Sequence, residues 1–129
     1  MATTQTSIKH LTNEHNDWLR GLSFYKDELQ ILKNRLTEVA SKNTGIDAVN
    51  MMNHYENQVT LQTTNIDTLR HDINSNLETI VAQLNDNTPG YIDTQLVDKH
   101  NTLRDNYFTQ EKVVNELRHE FNRFAAKWM

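Results

Sequence analysis

In two long stretches of this chain the apolar positions step three, four, three, four for more than thirty residues. The first series is Ile8, Leu11, His15, Trp18, Leu22, Tyr25, Leu29, Leu32, Leu36 and Val39; the last is Leu96, His100, Leu103, Tyr107, Gln110, Val114, Leu117, Phe121, Phe124 and Trp128. A 3.5-residue repeat held that long keeps one seam facing a partner helix, so each predicted helix lies along another for most of its length. A weaker row runs between them: Met52, Tyr55, Val59, Gln62, Ile66, Leu69, Ile73, then Leu77, Ile80 and Leu84. Its four-plus-four step at Leu77 predicts a stutter that unwinds the supercoil locally.

The punctuation fits three helices. Thr6 or Ser7 can cap the first, which runs over about 7–42 before Asn43-Thr44-Gly45, where glycine is expected to close the helix in the left-handed conformation. The second, with Asp47 as its cap, covers about 47–85. Asn87-Thr88-Pro89-Gly90 holds the only proline and predicts a tight reversal into a third helix over about 93–128. Short connections make neighbours antiparallel, so the expected fold is all-α: one domain over 1–129, an elongated up-down-up three-helix bundle with coiled-coil-like seams. Helices of this length are about 55 Å long. Gly21, inside the first helix, either makes room for a bulky neighbour such as Trp18 or, as the favoured reading, is simply tolerated at about 1 kcal/mol relative to alanine.

Composition agrees with a rod. Hydrophobic residues make up 36% of the 129, low for a compact globule but adequate for a seam with a large surface around it. With no cysteine, disulfides and thiolate chemistry are excluded. A polar N-terminus and the lack of any long apolar run lead to the expectation of a cytoplasmic protein with no membrane partner. The net charge of −4 is concentrated in one place: residues 5–43 carry 6 basic and 5 acidic side chains, residues 46–86 carry 1 and 6, and residues 91–129 carry 6 and 6. Basic residues interleaved with acids are a poor footprint for phosphates, so no nucleic-acid partner is expected. The acidic middle helix favours a basic protein partner through steering.

Counting layers outward from the turns sets His15 opposite Ile73 and Asp105, and separates His15 from His100 by about 7.5 Å along the axis. These two occupy seam positions, whereas His10, His54, His71 and His119 fall outside it. Polar seam residues, here also Gln62 and Gln110, fix register at a cost in stability. A buried histidine would in addition make the bundle sensitive to acid. Catalytic signatures are absent from the sequence: there is no phosphate loop, no Gly-x-Ser-x-Gly and no His-Glu-x-x-His, so a non-enzymatic protein without a cofactor is expected.

Apolar residues on outer faces suggest docking. Phe24 and Ile31 lie seven apart on the first helix, Leu61 falls at a similar height on the second, and Phe108 is off the seam of the third. Met51, Met52, Trp128 and Met129 gather at one end as an apolar cap. The expected function is a helical interaction or structural module, with Phe24, Ile31, Leu61, Phe108, Met51, Met52 and Trp128 as contact residues toward a second copy or another protein. The same seams would also serve an open hairpin that closes only in a dimer.

Three resemblances bear on this. Glu14-His15, His54-Tyr55-Glu56, His71 and the pair His100 and Asp105 resemble the ligand pattern of hemerythrin-like di-iron bundles. That resemblance implies a metal-binding bundle using His15, His54, Glu56, His71, His100 and Asp105, although Gln58 and Ser75 stand where the family has ligands and three helices stand where it has four. Glu14 through Leu19, Phe24-Tyr25-Lys26 and the ending Glu120 through Met129 are similar to small bacterial helical proteins of no assigned activity. Trp18 and Trp128 in a three-helix rod resemble the core tryptophans of spectrin-type repeats, a likeness of architecture alone.

Overall fold

The computed structural model describes residues 4–86 and 94–128. Three helices account for nearly all of them: α1 (Thr4–Lys42), α2 (Ile46–Asp86) and α3 (Thr94–Trp128), each packed against the other two. The fold is the expected all-α three-helix bundle. Of the two reversals, Asn87-Thr88-Pro89-Gly90 lies outside the described residues.

The first reversal works differently from the expectation. Gly45 does not adopt the left-handed conformation. Instead the Asn43 side chain folds back, its Nδ2 donating to the Val39 carbonyl at 2.9 Å, and satisfies one of the orphan acceptors of the α1 C-terminus. The Gly45 carbonyl accepts from Val49 N–H at 2.9 Å, which makes Gly45 the cap of α2. Asp47 therefore sits inside the first turn, where its carboxylate meets the positive end of the helix dipole.

The seams of α1 and α3 bury as predicted from Leu11 to Val39 and from Leu96 to Phe124. In α2 the predicted stutter does not occur. Asn76, not Leu77, is buried after Ile73, so the buried row runs Ala48, Met52, Tyr55, Val59, Gln62, Ile66, Leu69, Ile73, Asn76, Ile80 in unbroken three-four steps. An asparagine can hold a seam position because it has a buried partner for its amide.

Most of the core is one continuous cluster from Trp18 and Leu103 at one end to Val39, Ala48 and Ala125 at the other. Leu11, Ile80 and Leu96 form a second, separate cluster. Between the two lies a polar layer of His15, Asn76 and His100. Gly21 is needed rather than tolerated: a Cβ there would overlap the Tyr107 hydroxyl, so the bare backbone of α1 receives a ring from α3. Among the described residues, no helix is long and apolar enough to cross a membrane.

Candidate functional site

The polar layer brings together residues that counting from the turns had set apart. His15 and His100 are level, with ring centroids 4.7 Å apart and Nδ1 atoms 3.2 Å apart, and both are fully buried. The opposing α2 residue is Asn76 rather than Ile73. Counting assumed that each reversal is level, whereas side-chain partners set the register.

Hydrogen-bond partners assign the tautomers. His15 Nδ1 lies 2.7 Å from the Leu11 carbonyl, which can only accept, so this nitrogen carries the proton. His15 Nε2 then accepts from Asn76 Nδ2 at 3.1 Å. His100 Nε2 donates to Glu14 Oε1 at 3.0 Å, which leaves His100 Nδ1 as the acceptor facing His15 Nδ1–H. Every ring nitrogen of the pair is thereby used, and among the described residues no buried side-chain polar atom lacks a partner. Trp18 closes the layer on the core side, 5.1 Å from the His15 ring and 4.8 Å from that of His100.

Electrostatics keep the pair neutral. Burial pushes the pKa of His15 down, and the neighbouring His100 adds to that, against the pull of the Leu11 carbonyl and Glu14. Burial likewise lowers His100, with Arg104 and His10 adding to the effect and Glu14 opposing it. Burial, the largest single influence, raises Glu14, but the hydrogen bonds and charges of Arg104 and His100 together outweigh it, so Glu14 ends below the usual carboxylate range. Arg104 reaches both of its oxygens, at 2.9 and 3.3 Å, and His10 Nε2 stands 3.0 Å away.

This arrangement does not make a metal centre. The Glu14 oxygen nearest His100 already holds a guanidinium, and a cation added there would meet one already present. His54, Glu56, His71 and Asp105 are exposed, whereas the pair is buried. Among the described residues no three His, Cys, Asp or Glu side chains converge to hold an ion. The hemerythrin-like ligand set is therefore not assembled.

A second feature is on the surface. One row of α1 residues that reach α3 recurs every seven: Glu14 meets Arg104, Gly21 meets Tyr107, Glu28 meets Arg118 at 3.4 Å, and Arg35 donates to Asn122 at 2.7 Å. Phe24 and Ile31 follow this row by three residues, on its solvent side, and Phe108 lies between Arg104 and Glu111 on the matching side of α3. Phe24, Ile31 and Phe108, each about half exposed, thus flank one edge, that between the parallel helices α1 and α3. Beneath them Tyr25 packs on Phe24 and Tyr107 on Phe108, with ring centroids 5.3 and 5.7 Å apart. Both phenols donate to Glu111 Oε2, at 2.9 and 3.3 Å. Burial and the Glu111 charge push Tyr107 up to about 12, so it remains a donor at any physiological pH.

The other expected contact residues are dispersed. Leu61 is exposed but lies on the edge of α2 that carries Asn65 and Thr68, which line a groove toward α3, and so faces away from Phe24. Met52 is a core residue and presents no surface. Met51 is exposed on a groove of about 720 Å³ between the start of α2 and the end of α3, whose rim mixes Asp47, Glu120, Arg123 and Lys127. The side chains of Trp128 and Met129 lie outside the described residues. Sequence reasoning missed Glu14 and Asn76 as partners of the histidines and Arg104 as the partner of Glu14; the signal available was their spacing, with Glu14 beside His15 and Arg104 one turn after His100.

Comparison with family models, with curated proteins and with solved structures finds no match to this chain.

Proposed function

We propose that this protein is a non-enzymatic helical module that associates with a second copy of itself through the α1/α3 edge. The observation that carries this is the aromatic patch of Phe24 and Phe108, extended by Ile31 and backed by Tyr25 and Tyr107. Aromatic residues on a rigid tyrosine base can be covered with little loss of side-chain freedom, which is what an interface centre requires. Charge favours a like partner. The six acidic residues against a single arginine lie on α2, away from this edge, so two copies meeting there keep their acidic helices far apart. A two-fold arrangement would place each patch on its own counterpart.

The test is mass under native conditions. Wild-type protein is expected as a dimer by native mass spectrometry and sedimentation. A Phe24→Asp, Ile31→Asp variant should retain its helicity and become a monomer, with the dissociation constant raised about a hundredfold or more. A monomeric wild type, or a variant whose mass does not change, overturns the reading.

A further inference from the structure

The buried histidine pair has two ring nitrogens without a proton, and each faces a donor. His15 Nε2 faces the Asn76 amide nitrogen, and His100 Nδ1 faces His15 Nδ1–H. A proton arriving at His15 Nε2 can be accommodated if the Asn76 amide turns to present its oxygen. One arriving at His100 Nδ1 cannot, because His15 Nδ1–H is fixed by the Leu11 carbonyl and two N–H groups would point at each other at 3.2 Å. The closed layer therefore holds one extra proton at most.

The charged and titratable groups around the pair are few. Among the described residues, Glu14 and His10 come from α1, Arg104 comes from α3, and α2 contributes the neutral Asn76. Among the described residues Glu14 is the anion that reaches the pair, and it is already matched by Arg104. Beyond the layer, among the described residues, the buried apolar side chains are Leu11, Ile80 and Leu96, which do not join the main core. On the other side Trp18 belongs to the large cluster.

We propose that the His15–His100 layer is an acid-released clasp: uptake of a second proton by the pair, for which the closed layer has no place, parts α1 from α3 there and frees the end of the rod carrying Leu11, Ile80 and Leu96, while the main core stays folded. The apolar surface so uncovered is distinct from the α1/α3 edge. The inference depends on the core alone and stands whether or not copies associate.

Trp18 reports the event directly, since an imidazolium beside an indole quenches its emission. In a Trp128→Phe background, Trp18 emission is expected to fall about twofold between pH 7.5 and 5.0, with its midpoint below the ordinary histidine value of about 6.5. Over the same range, amide exchange corrected for its intrinsic pH dependence should quicken about tenfold or more around Leu11, Ile80 and Leu96 and stay unchanged around Leu29 and Ile66. Asn76→Asp supplies an acceptor at His15 Nε2, so the layer should hold its first proton without strain and release should move to lower pH. A His15→Gln, His100→Gln variant should lose the transition. Equal protection of the rod end at both pH values, or an Asn76→Asp profile identical to that of the native residue, overturns the clasp, and neither result depends on the glutamine variant folding.

Discussion

Two polar layers interrupt the same apolar seam, and they are built for different ends. Near the middle, Gln110 Nε2 donates to Gln62 Oε1 at 2.8 Å, a neutral pair linking α2 and α3 with apolar residues of one continuous cluster above and below it. Toward the end, His15, Asn76 and His100 draw on all three helices, reach the Glu14–Arg104 ion pair, and separate two clusters. The glutamines have no proton to gain in the physiological range, so their layer fixes register and nothing more. The histidines fix register only while they stay neutral. A polar residue in a seam is thus not one kind of device; what it does depends on whether its partner must change when the solvent does.

Truncation should separate the layers most widely. His100→Ala leaves a cavity and removes one partner each from Glu14 and His15, and is expected to cost about 3 kcal/mol in urea unfolding at pH 7.5. Gln110→Ala orphans only the Gln62 oxygen and should cost about half that, by the same reasoning on unsatisfied buried groups. Equal losses would mean that the Glu14 and Arg104 connections contribute nothing.

Acid should discriminate next. Both histidines have their pKa lowered by burial in the folded protein, so the unfolded chain binds protons first as pH falls. Their contribution is fully present above the ordinary histidine value of about 6.5 and is lost as the pH drops from there through the folded values. Glu14, held below the usual carboxylate range, adds stability that persists until still more acidic pH, so it does not blur this window. The expected drop in Tm from pH 7.5 to 5.5 is about 5 °C for the native protein and near zero for His15→Gln, His100→Gln. A Gln62→Leu, Gln110→Leu variant should show the native pH dependence in full.

That same leucine pair gives the smallest expected change at neutral pH. Replacing both partners of a buried neutral hydrogen bond with apolar groups of similar size should shift stability by less than about 1 kcal/mol, toward either sign. Heteronuclear NMR would show whether one register survives; doubled or broadened signals would locate the value of the glutamines in uniqueness rather than stability.

The architecture was legible because period and punctuation are written in side-chain type. The rows of α1 and α3 predicted their buried faces almost position by position, and the two reversals predicted three helices. The α2 row failed at one place, and for a physical reason: Asn76 looks unsuited to a seam until His15 is known to stand across from it. The site was half legible. His15 and His100 stood out as seam histidines, but their meeting depends on how α1 and α3 slide past each other, which no local pattern encodes. Gly21 shows the same thing in reverse, since its role is to leave space for a ring 86 positions further along the chain.

The parallel placement of α1 and α3 also orders the assembly of the chain in time. Contacts between neighbours in sequence span modest loops, as with Lys26 and Asp67, 41 residues apart, or Gln62 and Gln110, 48 apart. Every contact between α1 and α3 is more distant: 85 residues for His15 and His100, 86 for Tyr25 and Glu111, 90 for Glu14 and Arg104. Closing a longer loop costs more entropy before any contact rewards it, so the two hairpins form ahead of the contacts that join the outer helices. The histidine layer, which needs all three helices in place, is then among the last contacts made, and a chain whose hairpins have slipped by one turn is left with unpaired imidazoles that favour its reopening.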